Sequence, residues 1–156
     1  MYGHRPLYCS NVDDMPDCSS DAETLRFGIN DTSLYGLEVI LMKYNVDLYL
    51  CGHEHSYERS FPVFNGTVQP QDTTHYLNPL YPIYIVTGSA GCQEGFDYYD
   101  KVFYGPYSAF RSSSYGYGHL TVYNSTHLYW DQYLDEGRSG TDYFWIEKES
   151  TKIAQQ

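Results

Sequence analysis

The strongest chemical signal in the sequence is a pair of histidines two residues apart, His53 and His55, which follow Gly52. They come directly after an apolar run that ends at Cys51, so we expect them at the end of a strand. In extended backbone the side chains of residues i and i+2 leave on the same side, so both imidazoles can face one metal-binding pocket. Imidazole suits zinc, iron or manganese, but two ligands do not complete a mononuclear site. Two surface histidines are the alternative interpretation.

The other polar residues in this region are interpreted as structural. Glu54 lies between the two histidines in sequence and is expected to point away from both. Tyr57, Glu58 and Arg59 are expected to fix the loop through hydrogen bonds and an ion pair. Among the remaining histidines, packing or surface roles are expected for His119 and His127, whereas His75 carries no functional signal.

The elements that must position these residues are a helix and several strands. A helix that ends at Asn45 is predicted by apolar residues at helical spacing: Leu34, Leu37, Ile40, Leu41 and Tyr44. A long loop is predicted between residues 93 and 114, and a hairpin about Asn124. The predicted strands, of which the last precedes a polar tail, are residues 46–51, 82–87, 119–123, 127–133 and 143–146. This order predicts the α/β class, with α+β as the alternative.

Composition excludes several classes of partner. The chain has 156 residues, which is enough for one domain with a buried core. Nine Lys and Arg against twenty Asp and Glu give a formal net charge of −11, which argues against a nucleic-acid partner. The sequence has no run of about 18 apolar residues, so no membrane span is expected. No charged and apolar leader follows Met1, so we expect no signal peptide in this chain.

Two further sequence features bear on the cellular compartment. The chain contains three glycosylation sequons, at Asn30, Asn65 and Asn124. They favour an extracellular or lysosomal location for the protein to which this chain belongs. Cys9 and Cys18 flank a short polar loop, where a disulfide would contribute roughly 2.5–3 kcal/mol. Two unrelated thiols are the alternative. Of the other two cysteines, Cys51 is expected to be a buried thiol and the state of Cys92 is left open.

Several blocks of the sequence resemble the purple acid phosphatases, in particular their iron/zinc purple acid phosphatase-like branch within the calcineurin-like metallophosphoesterases. The blocks are Gly-His-Arg-Pro-Leu-Tyr-Cys-Ser-Asn at residues 3–11, Gly-His-Glu-His-Ser-Tyr-Glu-Arg at residues 52–59, and the segments 87–92, 115–119 and 124–127. The resemblance implies the C-terminal half of a metallophosphoesterase β-sandwich flanked by helices, ending in a β-hairpin and a final strand. It covers residues 1–150, with a C-terminal segment from about residue 80 and a frayed tail at 151–156.

The resemblance also implies the chemistry of the site. His4 and His53 match ligands of a divalent second metal, and His55 matches a ligand of a ferric first metal. The implied cofactors are Fe(III) plus zinc, iron or manganese, and the implied substrate is a small phosphate monoester hydrolysed at acidic pH. Such metal pairs, about 3.5–4 Å apart, hold the phosphoryl group and activate a water.

One departure from the family pattern limits what the chain is expected to do. The upstream Asp, Gly-Asp-x-x-Tyr and Gly-Asn-His motifs are absent, and the chain contains no Gly-Asp or Gly-Asn pair. We therefore expect the chain to need a missing N-terminal half of the same domain and to have little or no phosphatase activity alone. The alternatives are a non-catalytic, glycosylated β-rich binding module and a simple zinc-binding fragment that uses the same three histidines.

Overall fold

In the described part of the chain, two four-stranded sheets pack face to face, and a helix lies outside the first of them. The computed structural model describes residues 1–12, 24–29, 36–100, 105–135 and 138–149. Residues 24–27 form a helical turn, and helix α1 spans Leu37–Lys43. The strands are β1 (Leu48–Cys51), β2 (Tyr57–Ser60), β3 (Val63–Phe64), β4 (Thr67–Val68), β5 (His75–Leu77), β6 (Ile83–Thr87), β7 (Ser108–Ser112), β8 (Gly116–Val122), β9 (His127–Leu134) and β10 (Arg138–Glu147).

The two sheets differ in how their strands pair. Sheet I has the strand order β1-β6-β2-β7, in which β1 and β6 are parallel and β2 is antiparallel to both of its neighbours. Sheet II has the order β5-β10-β9-β8, in which only β5 and β10 are parallel. Strands β3 and β4 form a separate hairpin, whose turn residues Asn65 and Gly66 both have positive φ. That geometry suits the tight two-residue turns of hairpins.

Sheet I is buried on both faces. Leu48 of β1 packs with Trp130 and Phe144 of sheet II, in the core between the two sheets. Its neighbour Tyr49 faces the other way and packs with Leu41 of α1. Because successive side chains of a strand alternate between faces, this double burial requires apolar residues at consecutive positions. It explains why β1 and β6 were recognisable as continuous apolar runs.

A buried ion pair links the two sheets. Arg59 on β2 donates from Nε and Nη2 to the two carboxylate oxygens of Asp142 on β10, each at 2.7 Å. The Tyr57 hydroxyl donates to Asp142 Oδ2 at 2.6 Å, and Arg59 Nη1 donates to the Tyr76 hydroxyl. Arg59 is only 1% exposed and Asp142 only 6%. Because both charges have lost their water, each depends on the other for compensation.

Most predicted elements are confirmed. The helix forms and Asn45 follows it with a φ of 49°, a conformation that stops helical hydrogen bonding. The predicted strands correspond to β1, β6, β8, β9 and β10, and β8 and β9 form the predicted antiparallel hairpin. A β-rich sandwich with a flanking helix, a hairpin and a final strand agrees with the predicted architecture.

Other expectations are wrong, for identifiable reasons. The predicted loop at 93–114 contains β7, which hydrogen-bonds to β2 as the edge of sheet I. No strand is predicted at residues 57–60, where the structure has the buried strand β2, and β10 begins well before residue 143. On α1, Ile40 is 45% exposed while Glu38 is buried. The helix is turned so that Glu38 meets polar partners, and apolar spacing alone does not reveal this.

Several predictions concern cysteines, sequons and membranes. Cys51 is a buried free thiol, as predicted, and Cys92 is a half-buried free thiol. Cys18 and Asn30 lie outside the described residues, so the pairing of Cys9 with Cys18 stays a prediction. Asn65 and Asn124 are both exposed. Within the ranges that the structure describes, no helix has the length and apolar character needed to cross a membrane.

Replacement of Asp142 by alanine tests the role of the ion pair. We expect D142A to lower the free energy of unfolding by about 3–5 kcal/mol, because Arg59 would keep its charge without a partner. The matched control is D47A, which breaks the ion pair of a 41% exposed carboxylate with Lys148 and is expected to cost at most about 1 kcal/mol. Urea-induced unfolding measures both losses. Similar losses in the two variants would contradict the assigned role of Asp142.

Candidate metal centre

The loop that carries His53 and His55 leaves the carboxyl end of β1 and leads into β2. Its backbone lies against the end of β6, where Gly88 follows the last strand residue. A Cβ atom at Gly88 would lie 2.1 Å from the Glu54 carbonyl oxygen, so this approach requires glycine. The loop therefore sits where two parallel strands end, which is a common location for sites in α/β proteins.

His4 reaches the same place because the first residues of the chain pair with β1. Gly3 donates its N–H to the Leu50 carbonyl at 2.9 Å, and Gly52 donates to the His4 carbonyl at 3.1 Å. Tyr2 forms a parallel bridge with Leu50. Backbone hydrogen bonds thus hold His4 beside the loop that follows β1.

The structure brings His4 and His53 together. His4 Nε2 and His53 Nδ1 lie 3.2 Å apart, and the two rings meet nearly edge to face, with centroids 4.9 Å apart. His53 has a φ of 69°, an uncommon conformation for a residue other than glycine. Strained backbone of this kind is typical of functional sites. We expected the side chains of His53 and His55 to leave an extended backbone on the same side. That expectation is wrong, because the backbone is not extended at His53.

His55 has different neighbours. Its Nδ1 lies 3.7 Å from a carboxylate oxygen of Glu94, which is 84% exposed. Its backbone N–H donates to the Asp97 carboxylate, and its carbonyl accepts from the Asp97 N–H at 3.3 Å. Among the residues that the structure describes, no three His, Cys, Asp or Glu side chains are grouped so as to hold a metal ion. Sequence analysis missed Glu94 and Asp97, because the loop that contains them has no repeating pattern.

Two glutamates of the histidine motif hold the segment that follows His4. Glu58 on β2 accepts hydrogen bonds from the backbone N–H and the hydroxyl of Ser10, at 2.8 and 2.6 Å. Glu54 accepts one from the Asn11 side chain. Glu54 is buried whereas both histidines of the loop are partly exposed, in agreement with its predicted direction. These contacts tie the two blocks that carry the three histidines to one another.

Burial raises the pKa of two groups in this region, Glu58 and Cys51. Desolvation raises the pKa of Glu58 above its ordinary value of 4.5, and the hydrogen bonds from Ser10 offset part of that rise. Desolvation likewise raises the pKa of the Cys51 thiol, at the end of β1. A buried thiol with a raised pKa carries little thiolate and is therefore a poor metal ligand.

A second polar cluster supports the segment after His4 from the helix side. The Tyr8 hydroxyl donates to the carboxylate of Glu38 on α1 and accepts a hydrogen bond from Gly66 N–H at 3.1 Å. Asn65 N–H donates to Glu38 Oε1 at 3.0 Å, and the Arg26 guanidinium lies 4.3 Å from the centre of the Tyr8 ring. This cluster explains why a charged residue occupies the buried face of α1.

The chain is similar to known proteins over most of its length. The family model described as "Iron/zinc purple acid phosphatase-like protein C" matches residues 81–143. Over 135 residues the chain is 45% identical to acid phosphatase type 7 of Homo sapiens, covering 86% of this chain and 30% of that protein. Over 153 residues it is 34% identical to Fe(3+)-Zn(2+) purple acid phosphatase 12 of Arabidopsis thaliana, covering 92% and 29%. The chain belongs to the purple acid phosphatase family.

A solved purple acid phosphatase has the same fold. The structure of this enzyme from yellow lupin (Lupinus luteus) seeds matches with a TM-score of 0.79 and 22% sequence identity, covering 98% of this chain and 25% of that one. The resemblance that the sequence motifs indicated is therefore confirmed. The chain spans about 30% of the length of acid phosphatase type 7 from Homo sapiens and from Danio rerio, two of the relatives to which it is similar.

The contact between Gly88 and the histidine loop can be tested with a pair of glycine variants. We expect G88A to lower the free energy of unfolding by about 1–3 kcal/mol, because the added methyl group meets backbone that must move. At Gly52 the nearest atom to an added Cβ is 3.8 Å away, an ordinary contact, so G52A should change stability much less. Thermal unfolding compares the two. Equal tolerance of both substitutions would contradict the close approach at Gly88.

A Glu58→Gln variant tests the pKa of the buried carboxyl group. Because this pKa is raised in the folded state, the folded chain binds the proton more tightly than the unfolded chain. The contribution of Glu58 to the free energy of unfolding is therefore lost as the pH rises from about 4.5 to the folded-state pKa of this group. We expect wild-type stability, measured relative to E58Q by denaturant unfolding, to fall over that window. The exposed-site control E149Q should leave the pH dependence unchanged, and a pH-independent difference for E58Q would contradict the assignment.

Proposed function

We propose that this chain forms part of a phosphatase site that hydrolyses phosphate monoesters with a pair of metal ions. The observation that carries the proposal is the contact between His4 and His53, whose ring nitrogens lie 3.2 Å apart although the residues are 49 positions apart in sequence. Convergence of imidazole nitrogens from separate segments supports metal binding. In this proposal His4 and His53 hold the divalent ion, and His55 holds the ferric ion.

The donor set fits part of such a centre. With Zn–N bonds of about 2.0–2.1 Å, neighbouring ligand nitrogens lie roughly 3.0–3.4 Å apart. The distance between His4 Nε2 and His53 Nδ1 falls within that range. Because three histidines supply too few ligands for two ions, we propose that the others come from an N-terminal half of the same domain.

The electrostatics of the chain also favour metal ions in the site. The chain carries a formal charge of −11, so its own field repels a phosphate ester. Bound metal ions supply local positive charge that offsets the charge of the phosphoryl group, and they lower the pKa of water. We propose Fe(III) with zinc, iron or manganese as the ions and a small phosphate monoester as the substrate.

The residues of this chain act by holding ligands in position. Glu54 and Glu58 fix the Ser10–Asn11 segment that follows His4, and Asp97 binds the backbone at His55. Partners behind metal ligands orient them and are important for affinity. In the proposed site these three carboxylates therefore position the metal-binding histidines and do not contact the substrate.

We further propose that the complete protein passes through the secretory pathway to the extracellular space or the lysosome. The support is the exposure of Asn65 and Asn124, each of which lies in a turn between two strands. Cys9 and Cys18 are proposed to form a disulfide, which requires an oxidising compartment. Asn30 is proposed as the third glycan acceptor.

Metal binding by single histidine variants of the chain tests the ligand assignment. We expect H4A and H53A each to weaken Zn²⁺ binding by at least roughly 10–100-fold, the range found even for residues that only support a ligand. H55A should weaken it much less, because His55 is assigned to the other ion. The control H119A, in the β8–β9 hairpin, should have no effect. Isothermal titration calorimetry measures binding, and circular dichroism checks that each variant folds.

The same variants separate the alternatives. If H55A weakens Zn²⁺ binding as much as H4A, the chain is a simple zinc-binding fragment that uses all three histidines. If the wild-type chain binds no metal and all variants fold, the interpretation as a non-catalytic, glycosylated binding module is favoured. In the complete protein, hydrolysis of p-nitrophenyl phosphate should be lost in H53A and kept in H119A. Retained hydrolysis in H53A would overturn the proposed function.

A further inference from the structure

The outer face of sheet II carries an unusual set of exposed aromatic rings. Tyr117 is 54% exposed, Tyr123 is 59% exposed and Tyr143 is 46% exposed. These rings lie on the side of the sheet opposite the core, which is filled by Trp130 and Phe144. Exposed apolar surface marks a contact site where it forms a contiguous patch. The net negative charge of the chain argues against nucleotide bases, with their phosphates, as the occupant.

Tyr123 forms one surface with two half-buried rings, Tyr129 and Trp145, at the end of the β8–β9 hairpin. The rings of Tyr123 and Trp145 have centroids 5.1 Å apart, and those of Tyr129 and Trp145 are 4.7 Å apart. We call Tyr123, Tyr129 and Trp145 the ring platform. Its rim is polar, because His127 Nε2 lies 3.7 Å from a carboxylate oxygen of Glu147 there. The planes of the neighbouring rings are inclined by 36° and 42°, so the platform is a shallow surface of aromatic faces. Such faces, with hydrogen-bonding groups at their edge, suit a sugar ring, which has apolar C–H faces and hydroxyls around its rim.

A glycan acceptor lies directly beside this platform. Asn124 follows Tyr123 and begins the turn between β8 and β9. Its Oδ1 accepts hydrogen bonds from Thr126 N–H and Thr126 Oγ1, both at 2.8 Å, and from His127 N–H at 2.9 Å. These bonds hold the carboxamide through Oδ1, whereas a glycan is attached to the other atom of the group, Nδ2. The residue itself is exposed.

We propose that the ring platform is the docking surface for the first sugar of an N-linked glycan on Asn124. The occupant is thus part of the same molecule, and its attachment point adjoins Tyr123 in sequence. The inference rests on the proposed passage through the secretory pathway. Docking removes water from the rings and fixes the turn, so the attached sugar stabilises the β8–β9 hairpin.

The test uses the whole chain, secreted behind an added leader by cells that make high-mannose glycans. Asn30→Gln and Asn65→Gln leave Asn124 as the only sequon, and endoglycosidase H trims its glycan to one N-acetylglucosamine. We expect this glycoform to melt about 2–5 °C above the same polypeptide made without a glycan in bacteria, in which Asn124 keeps its hydrogen bonds in the turn. With Tyr123→Ser present, removal of the sugar should cause no further loss. The control Tyr117→Ser, at the far end of the same face, should leave the sugar's effect unchanged.

Fluorescence gives a second readout that does not depend on the stability of the variants. The chain has two tryptophans, and Trp130 is only 2% exposed. Iodide quenching therefore reports mainly on Trp145, and we expect the sugar to reduce it. Equal melting temperatures and equal quenching with and without the sugar would overturn the proposal. Mass spectrometry that finds Asn124 unoccupied would overturn it together with the proposed glycosylation, whereas the metal-binding tests on the histidines decide the phosphatase proposal separately.

Discussion

The rest of the structure depends on the paired charges of Arg59 and Asp142, which meet between the two sheets. Each charge is costly to bury, and the cost is offset only when the guanidinium fork and the carboxylate meet in one geometry. That geometry fixes how sheet I lies against sheet II, because the two residues belong to different sheets. Tyr57 and Tyr76 add hydroxyl contacts to the same two side chains. Because hydrogen bonds to a guanidinium are directional, this contact restricts the alignment of the sheets more than an apolar contact at the same place would.

The strand that carries Arg59 also explains why one motif serves two purposes. Side chains of a strand alternate between faces, so Tyr57 and Arg59 reach sheet II while Glu58 points to the opposite side, toward Ser10. The same three residues thus join the sheets and hold the segment that follows His4. The histidines themselves lie just before this strand, on a loop whose shape follows from the positive φ of His53 and the approach of Gly88. Strand β2 therefore both packs the core and helps to position the candidate metal ligands.

Sequence reasoning succeeded where local pattern and burial agree. Strands β1 and β6 are apolar at consecutive positions, and the β8–β9 hairpin has a turn sequence between alternating runs. It failed at β2, because Tyr-Glu-Arg-Ser does not resemble a buried strand until partners 48 and 83 positions away are known. His53 and His55 were recognisable from spacing alone, whereas His4 was recognisable only through the family resemblance. Its contact with His53 depends on backbone pairing between residues 1–4 and β1, which no short-range signal predicts.

The different connectivity of the two sheets has a consequence for the order in which the chain folds. In sheet II, β8, β9 and β10 follow one another and pair as an antiparallel meander, so their contacts close short loops. In sheet I, β1 must find β6 and β2 must find β7 across long intervening segments. Closing a long loop costs more conformational entropy, and this cost comes before the strand contacts that offset it have formed. We therefore expect the meander to form early and sheet I late. The histidine loop belongs to sheet I, so the candidate metal ligands come together near the end of folding.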